Sequence, residues 1–231
     1  MFPIRDNIPS RRFPFMNYLI IAANTWIFIN QLGMEEEELR QFFFTFGMVP
    51  AQFTDPAAEG FTGFTLVGLF PFVTNMFLHG GWLHYLSNMW TLYIFGDNVE
   101  DRMGPFRYLF FYLLTGLAAS VTHFFLYAYS PIPTLGASGA ISGIMGAYLF
   151  LFPMAKITFL FPILFIPFFF NISAYIYIVI WFLTQLINGL SSYMFRYNSQ
   201  GIAFWAHIGG FAAGVLAYYF FVNKRRKRKY V

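Results

Sequence analysis

Cysteine is absent from the 231-residue sequence, which excludes disulfides, a thiolate nucleophile and thiolate metal sites. Charge is almost as scarce. Asp, Glu, Lys and Arg make up 10% of the chain, against about 25% in soluble domains. No charged residue occurs in 13–34, 61–96, 108–155, 157–195 or 197–223, which together hold 172 residues. Runs of that length, rich in Leu, Ile and Phe, belong in lipid. A soluble enzyme, a nucleic-acid-binding domain and a disordered chain are thereby excluded. Regular apolar–polar alternation is missing too, and this sets aside an outer-membrane barrel, which needs alternating segments of about 10 residues. What remains is an all-α, polytopic membrane protein.

The apolar runs divide into six expected spans: Phe13–Leu32, Gly81–Gly96, Tyr108–Tyr129, Ser138–Phe152, Ala174–Ser191 and Ala203–Val222. Ser130-Pro131-Ile132-Pro133 separates the third from the fourth, because proline cannot continue a helix. The stretch 61–80, broken by Pro71 and Gly80-Gly81, reads as a membrane-associated loop, and Ile157–Phe170, broken by Pro162 and Pro167, as a membrane-embedded loop. Phe13–Leu32 has neither the short apolar region nor the cleavage site of a secretory signal and reads as a retained span. The expected organisation is a short cytoplasmic segment (1–12), a six-span domain (13–222) and a basic cytoplasmic tail (223–231).

Six spans put both termini on one side. That side collects twelve of the fourteen basic residues: Arg5, Arg11, Arg12, Arg102, Arg107, Lys156 and the six of 224–229; Arg40 and Arg196 fall opposite. The asymmetry orients the termini to the cytoplasm. The run Lys224–Lys229 fits a topology signal better than a site for RNA or acidic lipid.

Polar side chains in such a chain are expensive and face an interior or a cavity. The second, fourth and sixth spans all run from outside to inside, so their first residues share one depth. His84 and Asn88 open the second, Ser138 the fourth, and His207 lies near the start of the sixth. His84 and Asn88, four apart, share a helix face. Gly139, Ser142, Gly143 and Gly146 form a small-residue stripe on the fourth span. His207, Gly210 and Gly214 form another face on the sixth. Stripes of this kind let helix backbones approach closely in membranes. If the two meet, His207 is pressed against Ser138, and a Ser–His pair is the minimum for an activated nucleophile. Ser138 also opens a helix after Gly136, whose free N–H groups, with His84 and Asn88, would form an oxyanion hole.

Each part has a blander reading: Gly-Ala-Ser-Gly is a common turn into a helix, and spaced glycines signal packing. His123, in mid-span without companions, reads as structural. Two histidines and an asparagine could bind a metal, but no carboxylate or cysteine joins them. Asp97, Glu100 and Asp101 lie at the inner end of the second span and read as loop capping beside Arg102.

Three motifs, in this order, resemble those of the rhomboid family of intramembrane serine proteases. They are His79-(x)4-His84-(x)3-Asn88, Gly136-Ala137-Ser138-Gly139 and Ala206-His207-(x)2-Gly210-(x)3-Gly214. The resemblance covers all six spans and implies a six-transmembrane-helix bundle. It implies Ser138 as nucleophile and His207 as general base without an acidic third member, His84 and Asn88 as oxyanion donors, and His79 as support for the loop above. No metal or other cofactor is implied. The expected substrates are themselves transmembrane proteins, cut near helix-destabilising residues, and the expected surroundings are membrane lipids.

Two positions depart from the pattern. Some relatives carry a Tyr four residues after the nucleophile, packed on the catalytic His. Here that residue is Ser142, which leaves Phe204 or Trp205 as the expected neighbours of His207. The first external loop lacks a Trp-Arg pair, and its Glu35–Glu38 run suggests the longer bacterial subtype. With no transit-like leader, the expected location is a bacterial cytoplasmic membrane. The fifth span carries none of the motifs and is the expected lateral gate. The competing readings are an inactive rhomboid-like protein that binds transmembrane clients, disfavoured by the presence of both Ser138 and His207, and a transporter, disfavoured by the lack of internal symmetry.

Overall fold

The computed structural model describes residues 2–163, 166–195 and 203–223. A strand, β1 (Phe2–Asp6), leads into helix α1 (Phe15–Leu32). Four short helices follow: α2 (Glu36–Phe46), α3 (Ala51–Thr54), α4 (Leu66–Leu69) and α5 (Pro71–Thr74), the last running into a 3-10 turn at Asn75–Phe77. Helices α6 (Trp82–Met103), α7 (Pro105–Leu126) and α8 (Ser138–Leu151) come next. Strands β2 (Lys156–Ile163) and β3 (Ile166–Ser173) precede helices α9 (Ala174–Phe195) and α10 (Phe204–Phe221). A helix thus stands at each of the six expected places.

Among the described residues, three helical stretches are long and apolar enough to cross a membrane alone: Pro105–Leu126, Ala174–Met194 and Phe204–Phe221. The segment Leu66–Phe77 and α6 pass the same test as a pair bent by 80°. With 14 residues, α8 is about 21 Å long, short of a hydrocarbon core of about 30 Å. It is also enclosed: every residue from Gly139 to Leu149 is buried.

The enclosure follows from the glycines. A Cβ placed on Gly210 would lie 2.0 Å from the carbonyl oxygen of Gly139, and one on Gly214 would lie 2.1 Å from that of Gly143. On the other side of α8, a Cβ at Gly139 would meet Ala119, and one at Gly143 would meet Thr115, both on α7. Helix α8 is therefore clamped between the small side chains of α7 on one side and the backbone of α10 on the other. Tyr108, Tyr112, Tyr148, Phe95 and Phe111 fill the core further down. Helix α1 is held by Phe28 stacked on Tyr85 (4.4 Å between centroids, 6° between planes) and by Thr25 Oγ1 at 2.7 Å from Tyr85 Oη.

One end of the bundle gathers the chain segments rich in basic residues. The Asn7 N–H donates to the Lys156 carbonyl, and the Asn223 N–H donates to the Arg102 carbonyl. Helix α6 runs past the expected end at Gly96 to Met103, so Asp97, Glu100 and Asp101 are helical rather than loop residues. The extension has a purpose in the packing. The Glu100 carboxylate accepts from the N–H groups of Met16 (3.1 Å) and Asn17 (2.7 Å), satisfying donors at the open start of α1. Nearby, Asp6 accepts from Tyr148 Oη and, at 2.7 Å, from Asn98 Nδ2. Burial pushes the Asp6 carboxyl above its ordinary range, opposed by its hydrogen bonds from Tyr148 and the Ile8 N–H.

The expected membrane-embedded loop at 157–170 is instead an antiparallel hairpin of β2 and β3, and β1 adds to its edge in the order β1-β2-β3. Its register runs from Lys156 opposite Ser173 to Ile163 opposite Ile166, which sets Pro162 and Pro167 against each other. One face is apolar throughout, with Ile157, Phe159 and Phe161 opposite Ile172, Phe170 and Phe168, while the other pairs Thr158 with Asn171 near its base and Leu160 with Phe169 toward the tip, so period-two alternation fades along the hairpin. The basic tail at 224–231 and Arg196 lie outside the described residues.

Clamping by backbone contact makes a specific stability prediction. Gly214→Ala should lower stability by about 1–3 kcal/mol, because neither backbone at the contact can yield cheaply. Gly33→Ala, where an added Cβ meets nothing closer than 3.6 Å, should be nearly neutral. Thermal unfolding in detergent measures both, and equal midpoints would refute the clamp.

Candidate active site

Ser138 is the first residue of α8, and Gly136 makes its position possible. Gly136 has φ +120, a conformation glycine alone adopts readily, and its N–H donates to the Asn75 carbonyl at 2.8 Å. The chain then turns directly into the helix. Ser142, the residue standing where a Tyr was expected, donates its hydroxyl to the Ser138 carbonyl at 2.6 Å. It is buried and belongs to the helix's own packing.

His207 comes from the first turns of α10. Its Nε2 is 2.8 Å from Ser138 Oγ, so the meeting of the two small-residue stripes brings these side chains into hydrogen-bond reach. The other ring nitrogen, Nδ1, is 2.8 Å from Oε1 of Gln185 on α9. Trp181, one turn before Gln185, lays its ring 6.0 Å from the imidazole at 34°. Gln185 and Trp181 therefore flank His207, in place of the expected Phe204 or Trp205. Those two pack toward Gly189 of α9, within 3.5 Å of where its Cβ would stand. Helix α9 lacks a motif in sequence but does contribute to the site. The available signal was a lone glutamine in mid-helix, costly in lipid unless bonded.

His84 and Asn88 sit one turn apart on α6. His84 Nε2 would lie 2.6 Å from a Cβ on Gly136, which places the ring directly against the turn that precedes Ser138. Its Nδ1 accepts from the Gly80 N–H at 3.4 Å. Asn88 is buried, and its amide nitrogen makes no hydrogen bond among the described residues. His79 is buried with its ring edge-on to His84 at 5.2 Å. Its backbone is tied to α1 by two bonds with the Gln31 side chain (3.2 and 2.8 Å). Gly139 and Gly210 provide the contact already described. His123 lies in the last turn of α7 rather than in mid-span, with its ring 5.0 Å from Tyr127.

A small cavity of about 10 Å³ opens beside Ser138, among Asn75, Met76, Ser120, Gly136 and Ala206, roughly the room one water needs. Chemically, the arrangement offers a hydroxyl whose proton an imidazole can accept, and free N–H groups at the start of α8. The buried Asn88 amide, unbonded among the described residues, adds a further donor.

Comparison with known proteins gives consistent results. The family described as Rhomboid domain matches residues 68–224. Rhomboid protease GluP of Bacillus subtilis (strain 168) is 39% identical over 79 residues, 34% of this chain and 15% of that protein. Rhomboid protein 1, mitochondrial, of Saccharomyces cerevisiae is 28% identical over 164 residues, 68% of this chain and 44% of that protein. Rhomboid-like protein 11, chloroplastic, of Arabidopsis thaliana is 39% identical over 75 residues, 32% of this chain and 26% of that protein. The matched stretches thus span less than half of these relatives. Their sources, bacterial, mitochondrial and chloroplast, tie the chain to the family as a whole and not to its bacterial type.

The contact of His84 with the Gly136 turn can be tested without assuming any activity. Gly136→Ala should displace the His84 ring, since the new methyl group would lie 2.6 Å from its Nε2 and the residue would also hold a strained φ. In spectra of histidine-labelled protein in detergent, the His84 resonances should move while those of His123 stay in place. Unchanged His84 resonances would refute the contact.

Proposed function

Because the chain belongs to the rhomboid family, we propose that it is an intramembrane serine endopeptidase working by a Ser138–His207 dyad. Family members are typically intramembrane serine proteases, and some are inactive. The observation that carries the active reading is the 2.8 Å approach of His207 Nε2 to Ser138 Oγ. In this reading His207 takes the hydroxyl proton as Ser138 attacks the scissile carbonyl, then returns it to the leaving amine. The N–H groups at the start of α8, with His84 and Asn88, receive the negative charge on the carbonyl oxygen. His79, packed on His84 and tied to α1, supports that part of the site.

The six-span organisation, over 13–222, with both termini cytoplasmic belongs to the same proposal. Its supports are the six helices at the expected places and the basic segments gathered at one end of the bundle. The site residues stand at the other end, facing the outer aqueous side, from which water can reach Ser138. Substrates are the transmembrane segments of other proteins. A helical substrate must unwind before attack, because its carbonyls are held in hydrogen bonds, so Gly or Pro near the cut should favour cleavage.

The test is incubation of purified protein in detergent with single-span model substrates. Ser138→Ala and His207→Ala should each reduce cleavage by on the order of 10³-fold or more, and the double variant should be little worse, since the pair acts as a unit. Full activity in Ser138→Ala would overturn the mechanism. Asn88→Ala should be milder, with a loss of about 10²-fold. Activity that followed added zinc would point to a metal site at the histidines instead.

A further inference from the structure

A histidine serves as base toward a serine only if the nitrogen facing the hydroxyl is unprotonated. A neutral imidazole has two tautomers, and the hydrogen bond at the far nitrogen selects between them. At His207 the far nitrogen is Nδ1, and it faces Gln185 Oε1 at 2.8 Å. An amide has a donor end and an acceptor end, so the selection depends on which way the amide points.

The surroundings of Gln185 settle that direction. Its Nε2 is 3.3 Å from Thr184 Oγ1, and the Thr184 hydroxyl lies 2.6 Å from the backbone carbonyl of Trp181. A carbonyl can only accept, so the Thr184 proton is committed to it. The Thr184 oxygen can then offer the neighbouring amide only lone pairs, so only the nitrogen end of that amide can bond to it. The amide nitrogen is the donor, which turns the amide oxygen toward His207. An oxygen there requires a proton on Nδ1, and Nε2 is left bare toward Ser138.

We propose that Gln185 is a positioning residue for this reaction, and that the chain Trp181 carbonyl, Thr184 hydroxyl, Gln185 amide, His207 imidazole, Ser138 hydroxyl fixes the base tautomer. The inference rests on the dyad reading for its catalytic consequence, but the hydrogen-bond polarity stands on geometry alone. Trp181, Thr184 and Gln185 lie on one turn of α9, so a helix outside the three motifs orients His207. In place of an acidic third member, a neutral amide supplies orientation without burying another charge, which in lipid would be costly.

The experiment is ¹⁵N NMR of histidine-labelled protein in detergent, with the four histidines assigned by substitution, alongside cleavage kinetics. Wild type should show neutral His207 protonated at Nδ1. Gln185→Met removes the acceptor at similar volume. It should shift His207 toward the Nε2-protonated form and lower kcat by about 10–100-fold, with KM nearly unchanged. Gln185→Glu retains an acceptor and should restore the wild-type tautomer. Thr184→Val, at an exposed position, should allow a mixture of tautomers in the wild-type background and have no effect beside Gln185→Glu, a non-additivity that loss of packing would not produce. It also serves where Gln185→Met fails to fold. A wild-type His207 protonated at Nε2, or an unchanged tautomer in Gln185→Met and Thr184→Val, would overturn the proposal. The tautomer is read without turnover. A protein that shows the expected tautomer yet cleaves nothing would refute the protease reading and leave the hydrogen-bond chain standing.

Discussion

The site depends on one contact, the approach of α8 and α10 to backbone distance. No side chain separates Gly139 from Gly210 or Gly143 from Gly214, and each carbonyl of α8 occupies the space a Cβ would need. In lipid, where burying apolar surface against a neighbour brings little, close backbone packing is itself a main source of helix association. The contact also sets a distance. Ser138 and His207 lie within a turn of the first glycine pair, so their 2.8 Å separation is inherited from the helix packing. If the pair reacts as proposed, an added methyl group would shift it by an amount that such chemistry does not tolerate.

The remaining polar groups near the site are used to hold loops in place. The Gly136 N–H is bound by Asn75, the backbone of His79 by Gln31, and Met48 and Thr134 bond to each other across two loops. Thr54 Oγ1 donates to the Ala128 carbonyl at 2.6 Å, and the Ala51 N–H donates to that of Ser130. These bonds tie the long connection between α1 and α6 to the connection between α7 and α8, and through Gln31 to the end of α1. The same hydrogen bonds satisfy backbone that would otherwise be stranded.

How much of this could be read from sequence differs by feature. The helix periodicity of His84 with Asn88 and of the glycine stripes was legible, because side chains four apart must share a face whatever the neighbours do. Five of the six helices were placed to within a few residues at each end. The far end of α6 was not, because Asp97 to Arg102 look like a loop until Glu100 is seen binding α1. The hairpin at 156–173 escapes a sequence reading because its second face is polar only near the base, at Thr158 and Asn171, and turns apolar at Leu160 and Phe169. Gln185 was missed for another reason. Its partner His207 is 22 positions away on a different helix, and nothing in the spacing of either residue encodes the pairing. Motifs report what a helix face repeats. They are silent on single contacts between faces.

The length of α8 joins these points. In the proposed six-span organisation, a helix of about 21 Å does not reach both surfaces of a core about 30 Å thick, which lets it start below the outer surface. Backbone that is not helical is tolerated at that depth only where protein or water covers it. The turn at Gly136 meets this condition through Asn75, and the flanking connection meets it through Met48, Ala51 and Thr54. The loop between α1 and α6 is thus a structural requirement of starting a helix partway down. In the proposed reading, a nucleophile at that helix start gains the N–H groups that its own first turn leaves without helical partners. On that proposal, the feature that makes the helix hard to accommodate in lipid is the one that would supply its chemistry.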